Sequence, residues 1–197
     1  MRVGIVLFDG ADELSVVGPH EVLSSWARST SPRTDVLLLS RDGEPVRSDA
    51  GLDLVPTAPA GELEHLHVLI HPGGSGARRL TRDPHYLGWL RRVRARTPVL
   101  VALGTGSLPL AAAGLLVGRA VTVHPDLAGE LLSVEPTVLL DTAASTVDDG
   151  DLVTSAAGGH AVDLALHLVE RLDSAQACVR VRRQLHFEPT EEPPRHG

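Results

Sequence analysis

Val99-Leu-Val-Ala-Leu-Gly-Thr-Gly-Ser-Leu-Pro-Leu-Ala-Ala-Ala113 is the stretch on which the fold turns. Val99–Leu103 is short and apolar throughout, the pattern of a strand buried on both faces, and such strands belong to parallel sheets covered by helices. Leu103-Gly-Thr-Gly-Ser107 then passes directly into the apolar helix that begins around Gly106. A strand, a sharp turn and a helix in immediate succession make an elbow. It holds one residue at the carboxyl edge of the sheet, against the positive end of the helix.

Working outward, further short apolar runs alternate with amphipathic segments, the order of an α/β fold. Strands are expected near Arg2–Phe8, Asp35–Ser40, His67–His71 and Asp151–Thr154. Helices are expected over about Pro19–Arg28, Pro84–Arg96, Gly106–Ala113, His160–Arg171 and Ala175–Leu185. Glu44–Val46 and Leu52–Val55 read as a hairpin at the sheet edge, and Val138–Leu140 with Ser145–Leu152 as another, turned by Asp148-Asp-Gly150. Residues 188–197 are rich in Pro and Glu and read as a flexible tail. Ligands of open α/β sheets bind beyond the carboxyl ends of the strands. One such end carries His71-Pro-Gly-Gly-Ser-Gly76, where Gly73 and Gly74 allow backbone N–H groups to face a ligand. With the elbow they would form an oxyanion hole. The spacing alone is equally that of two tight turns.

Composition removes many alternatives. The 197-residue chain is 43% apolar and 22% charged, which excludes a disordered chain and a membrane protein. It has one cysteine, Cys178, and neither lysine nor asparagine. An internal disulfide, a cysteine-rich metal site, a lysine Schiff base and a P-loop are therefore excluded. Ten histidines remain as the abundant groups that titrate near neutrality. A net charge of −7 argues against a nucleic-acid or acidic-membrane partner. Arg91, Arg92, Arg94 and Arg96 crowd one segment, which reads as a solvated helix face rather than an anion site. The apolar run Met1–Phe8 is too short for a signal peptide, so a cytoplasmic location is expected. The arginine-rich, lysine-free composition fits a high-GC genome, such as that of an actinobacterium.

Phe8-Asp-Gly10, Gly18-Pro-His-Glu-Val22, Pro72-Gly-Gly74, Thr105-Gly-Ser107, Ala111-Ala-Ala-Gly-Leu-Leu116, His124-Pro125, Asp148-Asp-Gly-Asp-Leu-Val-Thr-Ser155 and Asp163-Leu-Ala-Leu166 occur in this order. Together they resemble the ThiJ/PfpI superfamily, most nearly its isonitrile hydratases and the ligand domains of AraC-type regulators. The resemblance implies a flavodoxin-like three-layer α/β sandwich with a mostly parallel central sheet, forming one domain over residues 1–187. It also implies a homodimer with a small-molecule ligand or substrate. The superfamily usually places a nucleophilic cysteine at the elbow and pairs it with an acid in Asp-Leu-Thr-Gly-Pro. Here the matching positions are Gly104 and Ser15, so covalent thiol chemistry is not expected. Cys178, far along the chain, is expected to be structural.

Glycine at the elbow relieves the strain of that turn and leaves space where a thiol would sit. Gly73, Gly74 and the Thr105 N–H would still polarise a carbonyl. His124, matching a histidine found near the superfamily's cysteine, and His71, standing directly before Pro72-Gly-Gly74, are the expected acid/base groups. His160, Gly104 and Ser15 are expected to line the binding site. Asp12 or Glu13 could reach the pocket, but helix capping or exposure is the simpler expectation. A zinc site from His71, His124 and His160 matches no metal motif, so neither metal nor other cofactor is expected. His20 reads as an interface residue, His65 and His67 as strand-edge residues, and Trp26, Tyr86 and Trp89 as packing aromatics. The resulting expectation is non-covalent elimination, isomerisation, cyclisation or hydration of a small carbonyl metabolite. The alternatives are a ligand-binding sensor, or an isonitrile-hydratase-like enzyme inactivated by mutation.

Overall fold

The computed structural model describes residues 1–29, 34–62 and 65–187. In chain order its elements are β1 Arg2–Val6, α1 Glu13–Ser29, β2 Asp35–Ser40, β3 Val46–Arg47, β4 Asp53–Leu54, β5 Ala58–Pro59 and β6 Val68–His71. Then follow α2 Ala77–Leu80, α3 Pro84–Arg94, β7 Val99–Leu103, α4 Ser107–Ala112, β8 Ala120–Val121, α5 Ala128–Val134 and β9 Leu139–Leu140. The described chain closes with β10 Thr146–Asp148, β11 Leu152–Ser155, α6 Ala161–Leu172 and α7 Ala175–Gln184. The expected tail, residues 188–197, lies outside the described residues.

The main sheet has the order β10-β11-β7-β6-β1-β2-β5. Every pairing in it is parallel except β10 with β11. Strands β6, β7 and β11 are buried along their whole length, and β7 accordingly reads as an unbroken apolar run. Helices α1, α6 and α7 pack together as one layer, and α2 to α5 form the other. This is the expected flavodoxin-like sandwich. Parallel register brings the ends of β6, β7 and β11 level, with His71 opposite Ala102 and Ser155 opposite Leu103. The loops after these strands therefore meet above one sheet edge.

The differences from expectation have local causes. α1 begins at Glu13, and Pro19 lies inside it rather than at its start. Asp12 caps this earlier beginning, its Oδ2 accepting the Ser15 N–H at 3.1 Å. β3 and β4 pair as a hairpin but form their own two-stranded sheet, because β5 occupies the edge of β2. The hairpin is held instead by the loop after β1: Gly10 N–H donates to Arg47 O, and Arg47 N–H to Asp9 Oδ1. Val138–Leu140 does not join the hairpin at Asp148-Asp-Gly150; β9 pairs in parallel with β8.

Part of the arginine cluster is not a solvated face. Arg94 ion-pairs with Asp151, and Arg119 reaches both Asp149 at 2.6 Å and Asp151 at 2.5 Å. This bracing anchors the start of β11. No helix among the described residues is long and apolar enough to cross a membrane.

Candidate functional site

The elbow forms as the strand–turn–helix pattern requires. Leu103 is extended, Gly104 has φ +51°, and a short 3₁₀ turn over Gly104–Gly106 leads into α4. The left-handed backbone at Gly104 is one that side chains with a Cβ rarely adopt. A Cβ there would nevertheless meet only ordinary contacts, Ala156 O at 3.6 Å and Ala157 Cα at 3.7 Å. Gly104 thus keeps the elbow conformation and leaves room beside it. α4 itself is a short helix, six residues long, so its dipole is a minor part of the site.

A cleft of about 310 Å³ opens at this point. Asp12, Ser15, Gly73, Gly74, Gly104, Thr105 and His124 are among its walls, so the strand ends bring most of the expected residues together. Arg78, Asp126, Leu127 and Gly158 are further wall residues. Asp12 takes on two tasks. While capping α1 it also accepts a short hydrogen bond from the Ser15 hydroxyl, and so returns a carboxylate to the place where the resemblance expects one. Gly158 makes this possible, since a Cβ there would lie 2.2 Å from Asp12 Oδ2.

The expected oxyanion donors need one correction. The Gly74 N–H is already given to Thr105 Oγ1 at 2.8 Å, and the Thr105 hydroxyl donates back to Gly74 O at 2.9 Å. Gly74 is a brace between the two loops, not a donor to a ligand. Among the described residues the Gly73 N–H has no acceptor. The Thr105 N–H lies in the first turn, where amides have no partner within the helix. These two remain as donors.

The histidines separate. His124 is more than half exposed on the cleft wall, with its Nδ1 accepting the Asp126 N–H at 3.3 Å. The neutral ring therefore carries its proton on Nε2. His71 is fully buried and takes no part in the cleft. Its Nδ1 lies 3.0 Å from Pro72 O and its Nε2 2.7 Å from the Tyr86 hydroxyl. A carbonyl only accepts, so Nδ1–H donates to Pro72 and Nε2 accepts from Tyr86. Burial lowers the His71 pKa to about 4, against a weaker opposing effect of the Pro72 bond, and raises that of Tyr86. Contrary to expectation, the His71 ring is buried and stands outside the walls of the cleft. His160 is also absent from the walls, lying part-buried at the start of α6. Cys178 is buried in α7, in the same helix layer as α1 and α6, and is absent from the cleft walls.

Arg78 was not visible from the sequence. It lies on α2, a helix too short for periodicity to reveal, and grips Glu130 of α5 through Nε at 2.8 Å and Nη2 at 2.7 Å. That hydrogen-bonded carboxylate holds its pKa above the ordinary value. Glu13 turns away, bonding Ser48 and the Ala50 N–H, and the Ser48 bond lowers its pKa. Among the described residues no group of three or more His, Cys, Asp or Glu is placed to hold a metal ion.

The family model for the DJ-1/PfpI family matches residues 1–171. The chain belongs to the DJ-1/PfpI family. It is 32% identical to isonitrile hydratase of Pseudomonas putida, over 96% of this chain and 79% of that protein. Among solved structures, a ThiJ/PfpI family protein from Pseudomonas syringae superposes with a TM-score of 0.86 at 28% identity, covering 98% of this chain and 76% of its own. An AraC family transcriptional regulator from Pseudomonas putida gives a TM-score of 0.78 at 27% identity, covering 93% and 98%. An enzyme and a regulator thus share the fold of this DJ-1/PfpI-family chain, and its own site must decide between them.

Proposed function

We propose that the elbow cleft binds a small carbonyl metabolite and transfers a proton on it without a covalent intermediate. The observation that carries this is the Asp12–Ser15 pair set beside the Gly73 and Thr105 N–H groups, next to an elbow with no side chain. Asp12 removes a proton from the carbon next to the carbonyl, the electron pair moves onto the carbonyl oxygen, and the two N–H groups stabilise that oxygen. The His124 ring, taking a second proton on Nδ1 toward the Asp126 carboxylate 3.5 Å away, returns a proton from Nε2 at another atom, and solvent then removes the proton from Asp12 and restores that of His124. Depending on the substrate, this sequence gives isomerisation, elimination, cyclisation or the reverse of a hydration. Asp12 replaces His71 in the role first expected for it.

A sensor is the second reading, supported by Gly104, which enlarges a ligand cleft while removing a nucleophile position, and by the likeness to a regulator. Part of the same proposal is a homodimer. Leu14 and Val17 of α1 are about half exposed beside the cleft, and sedimentation would show whether two copies associate.

Dihydroxyacetone and pyruvate in D₂O test the choice, with binding followed by calorimetry and loss of the α C–H signal by NMR. Exchange that is about a hundredfold slower in Asp12→Asn at unchanged affinity supports the enzyme. Binding without exchange supports the sensor, and exchange that persists in Asp12→Asn overturns the role of Asp12. Neither binding nor exchange rejects carbonyl recognition.

A further inference from the structure

A second and larger cleft, of about 640 Å³, opens on the α2–α3 side of the sheet, at the ends of β1 and β2. It does not share the walls of the elbow cleft. The chain holds two Trp, one Tyr and two Phe in all, and Phe8, Tyr86 and Trp89 gather here. The rings of Tyr86 and Trp89 stand 5.3 Å apart at 41°, with His71 behind Tyr86 at 5.9 Å. Phe8 and Tyr86 are nearly covered and form the floor, while Trp89 is partly exposed and presents an aromatic surface.

Among the described residues, two arginines at this cleft have no acidic partner. Arg92 makes no hydrogen bond or ion pair among the described residues, and Arg79 gives its Nη2 to a carbonyl, Asp9 O, at 2.7 Å. The aspartates nearby are engaged by their own loops. Asp83 accepts the His85 and Tyr86 N–H groups and pairs with Arg41, Asp9 accepts the Arg47 N–H, and Asp42 the Glu44 N–H. The uncommitted donors at the rim are therefore cationic.

Gly88 adds an independent observation. It sits inside α3 on the cleft wall, where glycine weakens a helix. Neither packing nor backbone demands it. Its φ is not positive, and a Cβ would meet only Arg92 Nη1, at 3.4 Å. What the missing side chain preserves is room beside the Arg92 guanidinium at the cleft wall.

We propose that this cleft is a second ligand site, taking a planar aromatic carboxylate whose ring lies against Trp89 and whose anion is held by Arg92, with Arg79 beside it. Guanidinium groups pair with a carboxylate through parallel N–H donors and stack readily with planar rings. The site is independent of the elbow cleft, and nothing in its argument rests on the reaction proposed there.

Titration with 2-naphthoate tests it, with 2-naphthamide as the uncharged counterpart and acetate as the anion without a ring. Trp26→Phe serves as the background, so that quenching reports Trp89, and calorimetry gives the affinity. Saturable binding of naphthoate is expected, with naphthamide and acetate each weaker by about tenfold or more. Arg92→Gln should lower naphthoate affinity about tenfold, and Gly88→Leu, which favours the helix but fills the cleft, should abolish it. Asp12→Asn should leave it unchanged. Equal binding of naphthamide, loss of binding in Asp12→Asn but not Arg92→Gln, or no saturable binding would each overturn the proposal.

Discussion

Replacing His71 and Tyr86 together by Phe should flatten the acid side of the stability curve. His71 is fully buried, and its pKa in the folded protein is lowered to about 4 from 6.5. As pH falls through 6.5 the unfolded chain takes up a proton at this residue while the folded chain does not. Unfolding is therefore favoured progressively from that point, until the folded ring also protonates near pH 4. Stability from this residue is complete above the unfolded value and lost on acidification. Linkage between the two values puts the loss at about 2 kcal/mol by about pH 5, before most carboxylates titrate.

His71→Phe alone would leave the Tyr86 hydroxyl buried without its partner, at a cost of about 1–3 kcal/mol at neutral pH. The double replacement removes both polar groups and keeps the ring cluster of Phe8, residue 71 and residue 86. Pro72 O loses its Nδ1–H donor, so the double variant should be less stable by about 1–3 kcal/mol, a cost that does not vary with pH. Urea unfolding between about pH 7.5 and about pH 5 measures both proteins. The wild type should lose about 2 kcal/mol more than the double variant over that interval. His20, half-buried with a pKa also lowered by burial, contributes a smaller loss of the same sign to both. Parallel curves for the two proteins would refute the reasoning, because they would mean that His71 already titrates as it does in the unfolded chain.

Thr105→Val removes both bonds to Gly74 and should cost about 1–3 kcal/mol, measured by urea unfolding, since the Gly74 N–H loses its acceptor. Gly104→Ala should cost about 1–2 kcal/mol from the backbone alone, with no packing penalty; a much larger loss would contradict the open space beside the elbow. Gly158→Ala should slow any turnover as much as Asp12→Asn does, because its Cβ would displace the carboxylate. Arg119→Gln should cost about 1 kcal/mol by thermal unfolding, an effect that shrinks in high salt because Asp149 and Asp151 are partly exposed.

How far the fold could be read from the sequence follows from the length of each element. β2 and β7 match their expected bounds and α3 its expected start, since each is a long enough run for burial on one or both faces to show as a pattern. α2 and α5 escaped because Ala77–Leu80 is hardly more than one turn and Ala128–Val134 less than two, too short to display a face. The start of α1 was hidden for a different reason. Proline favours the first turn of a helix, so Pro19 suggested a beginning there, whereas Asp12 supplies a cap seven residues earlier and the helix tolerates the proline within it.

The candidate site divides along the same line. Residues at strand ends were legible, because parallel register carries Gly73, Gly104 and the Ala156–Gly158 loop to one edge whatever their side chains do. Direction was not legible. His71 occupies a strand end too, but on a strand successive side chains point to opposite faces, and His71 points into the α2–α3 layer toward Tyr86. Asp12 reaches the cleft only because a cap residue folds its side chain back over the first turn. The two arginines of α2 show the same effect at its sharpest. Arg78 and Arg79 are chain neighbours, about 100° apart around a helix, and that rotation alone sends one to the elbow cleft and the other to the aromatic cleft. The aromatic cleft lies at the end of β1, on whose two sides the chain lays β2 and β6, the reversal of strand order where open α/β sheets leave a crevice, while the elbow cleft lies beyond β6, β7 and β11. The two spaces therefore lie on either side of α2. Here a pair of adjacent arginines on one turn of helix is enough to give each space its own cation.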